Sequence, residues 1–390
     1  MHYGPDPTSR TVPTLVTILF LISSEGHFGA ENMLVALATA LTRLGCKCIV
    51  AVFSDARFSH TEVADAARQR GLDVELVPCS GRIDLAAVRR LRQIVKKFGV
   101  HVVHSHGYKA DAYARAATIG TCLPLIATCH NWPSKQLRMR IYAAIDRAVL
   151  SDFDHVIAVS TDVATLLRGW VPAARLGTIA NGVDLEQFSP DKQHLQVSPD
   201  HRIIVGFVGR FVADKGGAFL LQVAQRVVAQ RPDVNFVFIG DGPARDDWEV
   251  IASRPGVANH VTFPGVRADM PAVYASFDIM ALPSRVEAMP MCILEAMASA
   301  KPVVATPVGN IPKLVIPDET GYLADYGDEA AFATSILRLA NDEQLRRRMG
   351  ANGRARVAQH YSADSMAKQY MACYQAALLS RMGAICTQPA

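Results

Sequence analysis

The 390-residue sequence lacks the patterns that mark several protein classes. None of its eight cysteines forms a CxxC pair, which argues against a zinc ribbon and a thioredoxin-like redox site. Only 19% of the residues are charged and the formal net charge is +4, too small by itself to indicate nucleic-acid binding. Because 50% of the residues are hydrophobic, the chain is expected to fold, and its scattered thiols fit a reducing compartment.

A long apolar run is absent as well. A strongly apolar segment, residues 12–23, is shorter than the ~20 residues that a membrane-spanning helix needs. We interpret it as a buried parallel strand, because Arg10 is the only positive charge before it and no clear cleavage site follows it. A signal peptide is the alternative interpretation.

The sequence instead alternates short apolar runs with amphipathic stretches. In the first half, this pattern predicts strands at residues 15–21 and 48–53 and helices at residues 30–44 and 85–98. It begins again with a strand predicted for residues 203–208. Strands and helices that alternate at this spacing are typical of βαβ units around a parallel sheet, so we predict an α/β protein.

A polar segment with two prolines, residues 190–201, separates the two halves and is interpreted as a linker. We therefore predict two doubly wound α/β domains, residues 1–190 and 191–360. A C-terminal helix within residues 361–390 would follow and could pack back on the N-terminal domain. Ligands bind such sheets at the carboxyl ends of their strands, so a site between the domains is the default expectation.

Two loops carry groups that suit a phosphate. After the strand at 203–208, Arg210 and Lys215 lie near a helix N-terminus, where backbone amides and the helix dipole favour an anion. The spacing is not that of a P-loop, and a solvated turn with Asp214 as the helix N-cap is the alternative. In the first half, Gly29 either lets the backbone approach a ligand or simply forms a turn.

Two glutamates, Glu287 and Glu295, follow a further predicted strand. We place Glu287 in a loop and Glu295 in the next helix, with Pro290 in the first turn of that helix. A carboxylate accepts two hydrogen bonds at once, which suits neighbouring sugar hydroxyls, and the amides around Met289 and Met291 would face an anion. Two surface charges are the alternative.

Three histidines, His104, His106 and His130, lie near the ends of predicted strands in the first half. A single histidine is more often structural than functional. Several polar side chains at strand ends are harder to explain by packing alone, because such ends meet at one edge of a parallel sheet.

Together these segments resemble the retaining glycosyltransferases of family 4, also called group 1. The strongest parts are VGRFVADKGG, FIGDGP, the interval between the two glutamates and the stretch from AKPVVATPVGNIPKLV to ETGYL; weaker ones are FGAEN, ATCHNW and IANGVDLEQF. The resemblance covers most of the chain, and the order and spacing of the motifs make it specific. It implies an α/β GT-B architecture of two doubly wound Rossmann-like domains facing across a cleft.

The resemblance implies a role for each residue that matches a family motif. Arg210 and Lys215 would bind the diphosphate of a nucleotide-sugar donor on the C-terminal side. Glu295 would hold the nucleotide ribose, Glu287 would lie near the hydroxyls of the donor sugar, and His130 would contact that sugar. Of these five, all but Glu295 are candidate catalytic residues.

Other matches would bind the donor only. Gly29 would approach a phosphate through its backbone, Val266 would meet the base, and Met289 and Met291 would offer backbone amides. Three positions depart from the usual family pattern and leave the identity of the donor open, and these are His27, Asn310 and Lys313.

The implied reaction moves a sugar from a nucleotide-diphosphate sugar, with UDP favoured, to a glycan or lipid-linked acceptor on the N-terminal side, with retention. The diphosphate cations would stabilise the leaving group, so neither a metal nor another cofactor is expected. A role in polysaccharide or glycolipid biosynthesis follows. The alternatives are a sugar-nucleotide epimerase on the same fold and a non-catalytic nucleotide-sugar-binding protein.

Two basic stretches indicate an anionic membrane surface as a further partner. Residues 89–97 carry five cations on one predicted helix, and residues 135–142 interleave cations with apolar side chains. Since the family includes enzymes with lipid-linked acceptors, we predict a cytoplasmic protein that docks peripherally at the inner face of the cell membrane. A solvated face is the alternative, and no nucleic-acid partner is expected.

Overall fold

The computed structural model describes residues 15–24, 26, 29–55, 61–81, 83–130, 148–192 and 203–385. The second basic stretch, His27 and most of the predicted linker lie outside these residues. Among the described residues, contacts separate two compact units. Unit 1 contains those up to Ile179 and from Met366 onward, and unit 2 contains those within Ala180–Ser365.

Unit 1 has, in its described part, a seven-stranded parallel sheet in the order β3-β2-β1-β4-β5-β6-β7. The strands are β1 (Thr17–Ile22), β2 (Lys47–Ser54), β3 (Asp73–Pro78), β4 (Val102–His106), β5 (Leu125–Cys129), β6 (His155–Ala158) and β7 (Leu176–Thr178). The connecting helices are α1 (Gly29–Arg43), α2 (Glu62–Gln69), α3 (Leu85–Phe98), α4 (Tyr108–Thr118) and α5 (Thr161–Leu167).

Sequence and structure agree on these elements because the apolar pattern is strong. All six residues of β1 are buried, as expected for a parallel strand covered by helices on both faces. Helix α3 begins at an N-cap, Asp84, whose carboxylate accepts hydrogen bonds from two backbone amides, and it ends at Gly99 with a φ of 58°. The predicted strand at 15–21 and helix at 85–98 are thus confirmed.

Unit 2 repeats the topology with six described parallel strands in the order β10-β9-β8-β11-β12-β13. The strands are β8 (Ile203–Val208), β9 (Val234–Ile239), β10 (Val261–Gly265), β11 (Ile279–Leu282), β12 (Val303–Ala305) and β13 (Gly321–Leu323). The helices are α6 (Gly217–Val228), α7 (Arg245–Ala252), α8 (Met270–Ala275), α9 (Met291–Ala298), α10 (Ile311–Leu314), α11 (Glu329–Asn341) and α12 (Glu343–His360).

The chain passes from unit 1 to unit 2 after Ile179, before the boundary predicted at residue 190. The intervening residues already bond to unit 2. The Val183 amide donates to the Tyr361 carbonyl at 2.9 Å, and the Arg354 guanidinium donates to the Phe188 carbonyl at 2.9 Å. These bonds join residues before the predicted boundary to α12 and to its C-cap, and local sequence does not reveal them.

The last helix, α13 (Ala363–Ile385), begins in unit 2 and belongs to unit 1 from Met366 onward. Its Tyr370 and Tyr374 are completely buried, and Arg381 forms two bonds of 2.8 and 3.1 Å to Asp154 in unit 1. In the described part of the chain, no helix is both long enough and apolar enough to cross a membrane.

Candidate functional site

The strand order of unit 2 makes the carboxyl ends of β8 and β11 a candidate ligand site. From this central pair the sheet continues through β9 and β10 on one side and through β12 and β13 on the other. Open α/β sheets bind ligands where the strand order reverses, outside the carboxyl ends of the strands. The loop after β8 carries Arg210 and Lys215, and the loop after β11 carries Glu287. Two separate motifs of the sequence therefore meet at one edge of the sheet.

Gly216 allows these two loops to touch. It follows a single 3-10 turn, Ala213–Lys215, and has a φ of 72°. A Cβ atom at this position would lie 2.0 Å from the Pro283 carbonyl oxygen, so a larger residue would push the loops apart. The Arg285 amide also donates to the Asp214 carbonyl at 2.7 Å. Because α6 begins after Gly216 without a side-chain cap, the alternative with Asp214 as N-cap is wrong.

Lys215 and Glu287 form an ion pair between the loops. Nζ of Lys215 lies 2.5 Å from Oε1 of Glu287, and Oγ of Ser284 donates to the same oxygen at 2.7 Å. The Lys215 and Glu287 side chains are 25% and 8% exposed. Burial has the largest single effect and lowers the pKa of Lys215, but the charge and hydrogen bond of Glu287, together with the nearby Cys292 and Asp214, raise the pKa above its ordinary value. The ammonium group therefore stays charged.

Arg210 lies at the start of the same loop and is exposed. Its guanidinium is always charged and offers several donors in a planar fork that matches phosphate geometry. The loop after β8 thus carries one largely enclosed cation and one exposed cation. Such a pair suits an anion with two charged groups.

Glu295 lies in α9 and is almost completely buried. The hydroxyl of Tyr274, at the end of the neighbouring helix α8, donates to its Oε2 at 2.7 Å. Burial raises the pKa of Tyr274 well above its ordinary value, so the phenol keeps the proton that it donates. The interpretation of the two glutamates as surface charges is therefore wrong.

Met289 and Met291 flank the start of α9 and are 6% exposed. Pro290 occupies the N-cap position, one residue before the first turn in which we expected it. Because proline has no N–H, the first backbone amide at this end of the helix belongs to Met291. Two asparagines contact Met289: Nδ2 of Asn181 donates to its carbonyl at 3.1 Å, and Nδ2 of Asn310 lies 3.5 Å from its sulfur.

The two residues predicted to contact the nucleotide base and a phosphate, Val266 and Gly29, are exposed. Val266 follows β10 and is 71% exposed, and Gly29 is the first residue of α1 after β1. Both lie beyond the carboxyl end of a parallel strand, where a ligand can reach backbone atoms. Their roles stay predictions.

The three histidines form one cluster in unit 1. His104 and His106 are buried in β4, and His130 directly follows β5. Nδ1 of His106 lies 2.9 Å from Nε2 of His130. Burial lowers the pKa of His104 to about 3 and that of His130 to about 4, so both rings are neutral near pH 7. Within the described residues, no three metal-ligating side chains come together as a metal site.

The five cations of α3 are exposed, but several already bond to the protein. Arg90 donates to the Pro78 carbonyl at 2.8 Å, Arg92 donates to the Ala117 carbonyl at 3.2 Å, and Lys97 pairs with Glu75 at 2.6 Å. Part of this charge therefore serves to hold α3 to its neighbours. A membrane-docking role of the helix stays a prediction.

Sequence reasoning missed the residues that hold the candidate groups in place. Ser284 had a weak local signal, since it lies three residues before Glu287 in the same loop. Tyr274 and Tyr374 had none, because their partners are 21 and 270 positions away.

Two family models match the chain. A model described as "Glycosyl transferases group 1" matches residues 202–342, which include Lys215, Glu287 and Glu295. A model described as "Glycosyltransferase Family 4" matches residues 29–187, which include His130.

Individual relatives extend this match. A D-inositol 3-phosphate glycosyltransferase of Corynebacterium efficiens is 30% identical over 391 residues, which cover 90% of this chain and 91% of that protein. A GDP-mannose-dependent alpha-(1-6)-phosphatidylinositol monomannoside mannosyltransferase of Mycolicibacterium smegmatis is 31% identical over 62% of this chain and 66% of its own. The crystal structure of HepE from Anabaena in complex with UDP and glucose superposes with a TM-score of 0.76 at 24% identity, covering 91% of this chain and 98% of HepE. The chain therefore belongs to glycosyltransferase family 4 and has the two-domain GT-B fold.

Proposed function

We propose that this glycosyltransferase moves a sugar from a nucleotide-diphosphate sugar, with UDP favoured, to a glycan or lipid-linked acceptor with retention. One observation carries the proposal. A largely enclosed lysine, Lys215, is paired with Glu287 where the strand order of unit 2 reverses, and the next helix carries the buried Glu295.

The donor diphosphate would bind at the cations of the loop after β8. Lys215 keeps its charge in the free protein because Glu287 balances it. An incoming diphosphate is also anionic, so the ammonium can exchange one anionic partner for another without becoming an isolated buried charge. Arg210 would bind the diphosphate from the exposed start of the loop.

Glu287 would then serve the donor sugar. Among the described residues, both of its hydrogen bonds go to Oε1, which leaves Oε2 to accept from a sugar hydroxyl. Ser284 keeps the carboxylate in place while Lys215 turns to the phosphate. Glu295 would accept from the ribose hydroxyls, and the hydroxyl of Tyr274 donates to its Oε2.

The chemistry follows from where charge develops. As the bond between the anomeric carbon and the diphosphate breaks, positive charge grows on the sugar and negative charge grows on the leaving group. Arg210, Lys215 and the amides at the start of α9 would stabilise that negative charge. The leaving phosphate oxygen would take the proton of the acceptor hydroxyl, which attacks from the same face. No cofactor is required by this scheme.

Two relatives bear on the nucleotide. HepE was crystallised with UDP and glucose, which supports UDP, whereas the mycobacterial relative is named as GDP-mannose-dependent. The acceptors in the relatives' names, inositol 3-phosphate and a phosphatidylinositol mannoside, support a hydroxylated acceptor that is free or lipid-linked. Docking of α3 on an anionic membrane, and a place in polysaccharide or glycolipid biosynthesis, belong to this same proposal.

The first test is a panel of UDP-, GDP- and ADP-sugars, assayed by thermal shift and by nucleotide release with polyol and lipid-linked acceptors. We expect one nucleotide sugar to stabilise the wild type, and less so K215A and E295A. The matched control is K192A, which removes an exposed lysine of unit 2 away from both site loops. Stabilisation that is equal in all four proteins would contradict the proposed site.

Product analysis separates the remaining alternatives. An epimerised sugar nucleotide formed without an acceptor would favour the epimerase, and binding without any product would favour a nucleotide-sugar-binding protein. Anionic vesicles that co-sediment the protein in a salt-sensitive way would support the membrane surface.

A further inference from the structure

Unit 1 contains a buried polar cluster that the proposed reaction uses only at one end. His104 bonds through Nδ1 to the Tyr374 hydroxyl and through Nε2 to the Thr128 hydroxyl, both at 2.8 Å. Thr128 in turn lies 2.8 Å from the Tyr370 hydroxyl. His104 thus has a hydrogen-bond partner on each ring nitrogen. Helix α13 supplies Tyr374 directly, and its Tyr370 bonds to the other partner, Thr128.

His106 differs from its neighbour. Its Nδ1 lies 2.9 Å from Nε2 of His130, but its Nε2 is buried and has no hydrogen-bond partner among the described residues. The centroids of the His104 and Phe20 rings lie 4.4 and 6.0 Å from that of His106. The ring of His106 is thus packed against two other aromatic rings.

Only one hydrogen can lie between Nδ1 of His106 and Nε2 of His130. Burial holds the pKa of both histidines below its ordinary value, so each ring is neutral and carries a single N–H. If His130 donated from Nε2, the proton of His106 would lie on its buried Nε2 without an acceptor. Orphaned N–H groups are rare inside proteins because they lose a hydrogen bond to water.

We infer that His106 is a positioning residue, which donates from Nδ1 to Nε2 of His130 and thereby keeps the proton of His130 on Nδ1. His130 then presents an N–H donor, not a lone pair, on its remaining ring nitrogen. Such an N–H can donate to an oxygen of the donor sugar or phosphate, but it cannot accept a proton as a general base would. This consequence for the reaction rests on the proposed function, whereas the tautomer does not.

The tautomer can be measured in the free protein. Long-range 1H–15N correlation spectra of protein labelled with 15N-histidine distinguish protonated from unprotonated ring nitrogens, and H130N identifies the signals of His130. We expect a protonated Nδ1 and an unprotonated Nε2. A protonated Nε2 in the wild type would overturn the inference, whether or not any sugar nucleotide is turned over.

Variants test whether His106 sets this state. In H106N the side-chain amide nitrogen lies near the position of Nδ1, so the donor is kept and the wild-type tautomer should persist. In H106L the donor is lost and His130 should show a mixture of tautomers. The control is Y374F, which breaks a buried bond of the same cluster and should leave the His130 signals unchanged. An unchanged tautomer in H106L would overturn the role.

Turnover of the donor identified above gives the second readout. We expect kcat to fall about tenfold in H106L and to be largely retained in H106N, as for the loss of one hydrogen bond. Equal loss in both variants, with the tautomer preserved in H106N, would show that His106 is structural and would overturn its part in the reaction.

Discussion

The two units share one topology but carry different side chains at the carboxyl edge of the sheet. Unit 2 presents charged groups, an ammonium paired with a carboxylate and an exposed guanidinium. Unit 1 carries a buried cluster of imidazoles and hydroxyls there, of which His130 is partly exposed, and burial keeps the rings of His104 and His130 neutral. Charge suits an anionic diphosphate, and neutral donors and acceptors suit sugar hydroxyls. In each unit the strand order brings side chains together at the carboxyl edge, and their chemistry decides which groups that edge can bind.

The largest expected effect comes from removing the positive charge of Lys215 in unit 2. K215A should lower kcat/KM about 10²- to 10³-fold, because a donor to the leaving group is lost. It should also lower the melting temperature, since Glu287 is left buried without its cation. The double variant K215M/E287Q should recover stability without recovering turnover. Recovery of both would show that the pair is structural.

A second contrast uses two glycines with positive φ. G216A should cost about 2–5 kcal/mol of unfolding free energy, from backbone strain and the clash with the Pro283 carbonyl. Gly99 in unit 1 has a φ of 58°, and a Cβ added there would have no atom within 4 Å. G99A should therefore cost about 1 kcal/mol of unfolding free energy. Urea unfolding curves measure both. Equal costs would mean that the loops of unit 2 separate easily.

A third effect depends on pH. An unfolded histidine titrates near pH ~6.5, whereas folded His130 has a pKa of about 4. Between these values the unfolded chain binds a proton that the folded chain does not, so stability falls as the pH decreases through this window. H130Q should flatten the decline of the melting temperature between pH 7 and pH 5. H360Q, at an exposed position of unit 2, should not.

The smallest expected effect concerns Tyr274. Y274F removes the bond to Glu295, so KM for the donor should rise about three- to tenfold with kcat nearly unchanged. A donor analogue without the ribose hydroxyls should show no difference between Y274F and the wild type. A difference that persists with this analogue would show that Tyr274 acts on the fold and not through Glu295.

Much of this structure could be predicted from the sequence, because local patterns decide it. The apolar run of β1 and the amphipathic pattern and caps of α3 specify these elements without knowledge of their neighbours. The positions of Lys215 and Glu287 at strand ends also follow from the pattern, since parallel strands bring such ends together.

The contacts that position the site could not be predicted. Tyr274 and Tyr374 look like ordinary core residues in the sequence, and only the fold brings them to Glu295 and His104. The same holds for the cations of α3, whose spacing indicated a basic face but not that Arg90 and Arg92 bond to backbone carbonyls. Long-range hydrogen bonds depend on tertiary packing, which one sequence does not display.

The path of α13 has a consequence for the order of folding during synthesis. Unit 1 is assembled from two segments that flank unit 2, whereas unit 2 is one continuous segment that ends at Ser365. The hydroxyl partners of His104 and Thr128 on α13 leave the ribosome after the whole of unit 2. Unit 2 can therefore complete its core first, although it comes second in the sequence. The histidine cluster acquires its final hydrogen bonds only after all of unit 2 has been synthesised.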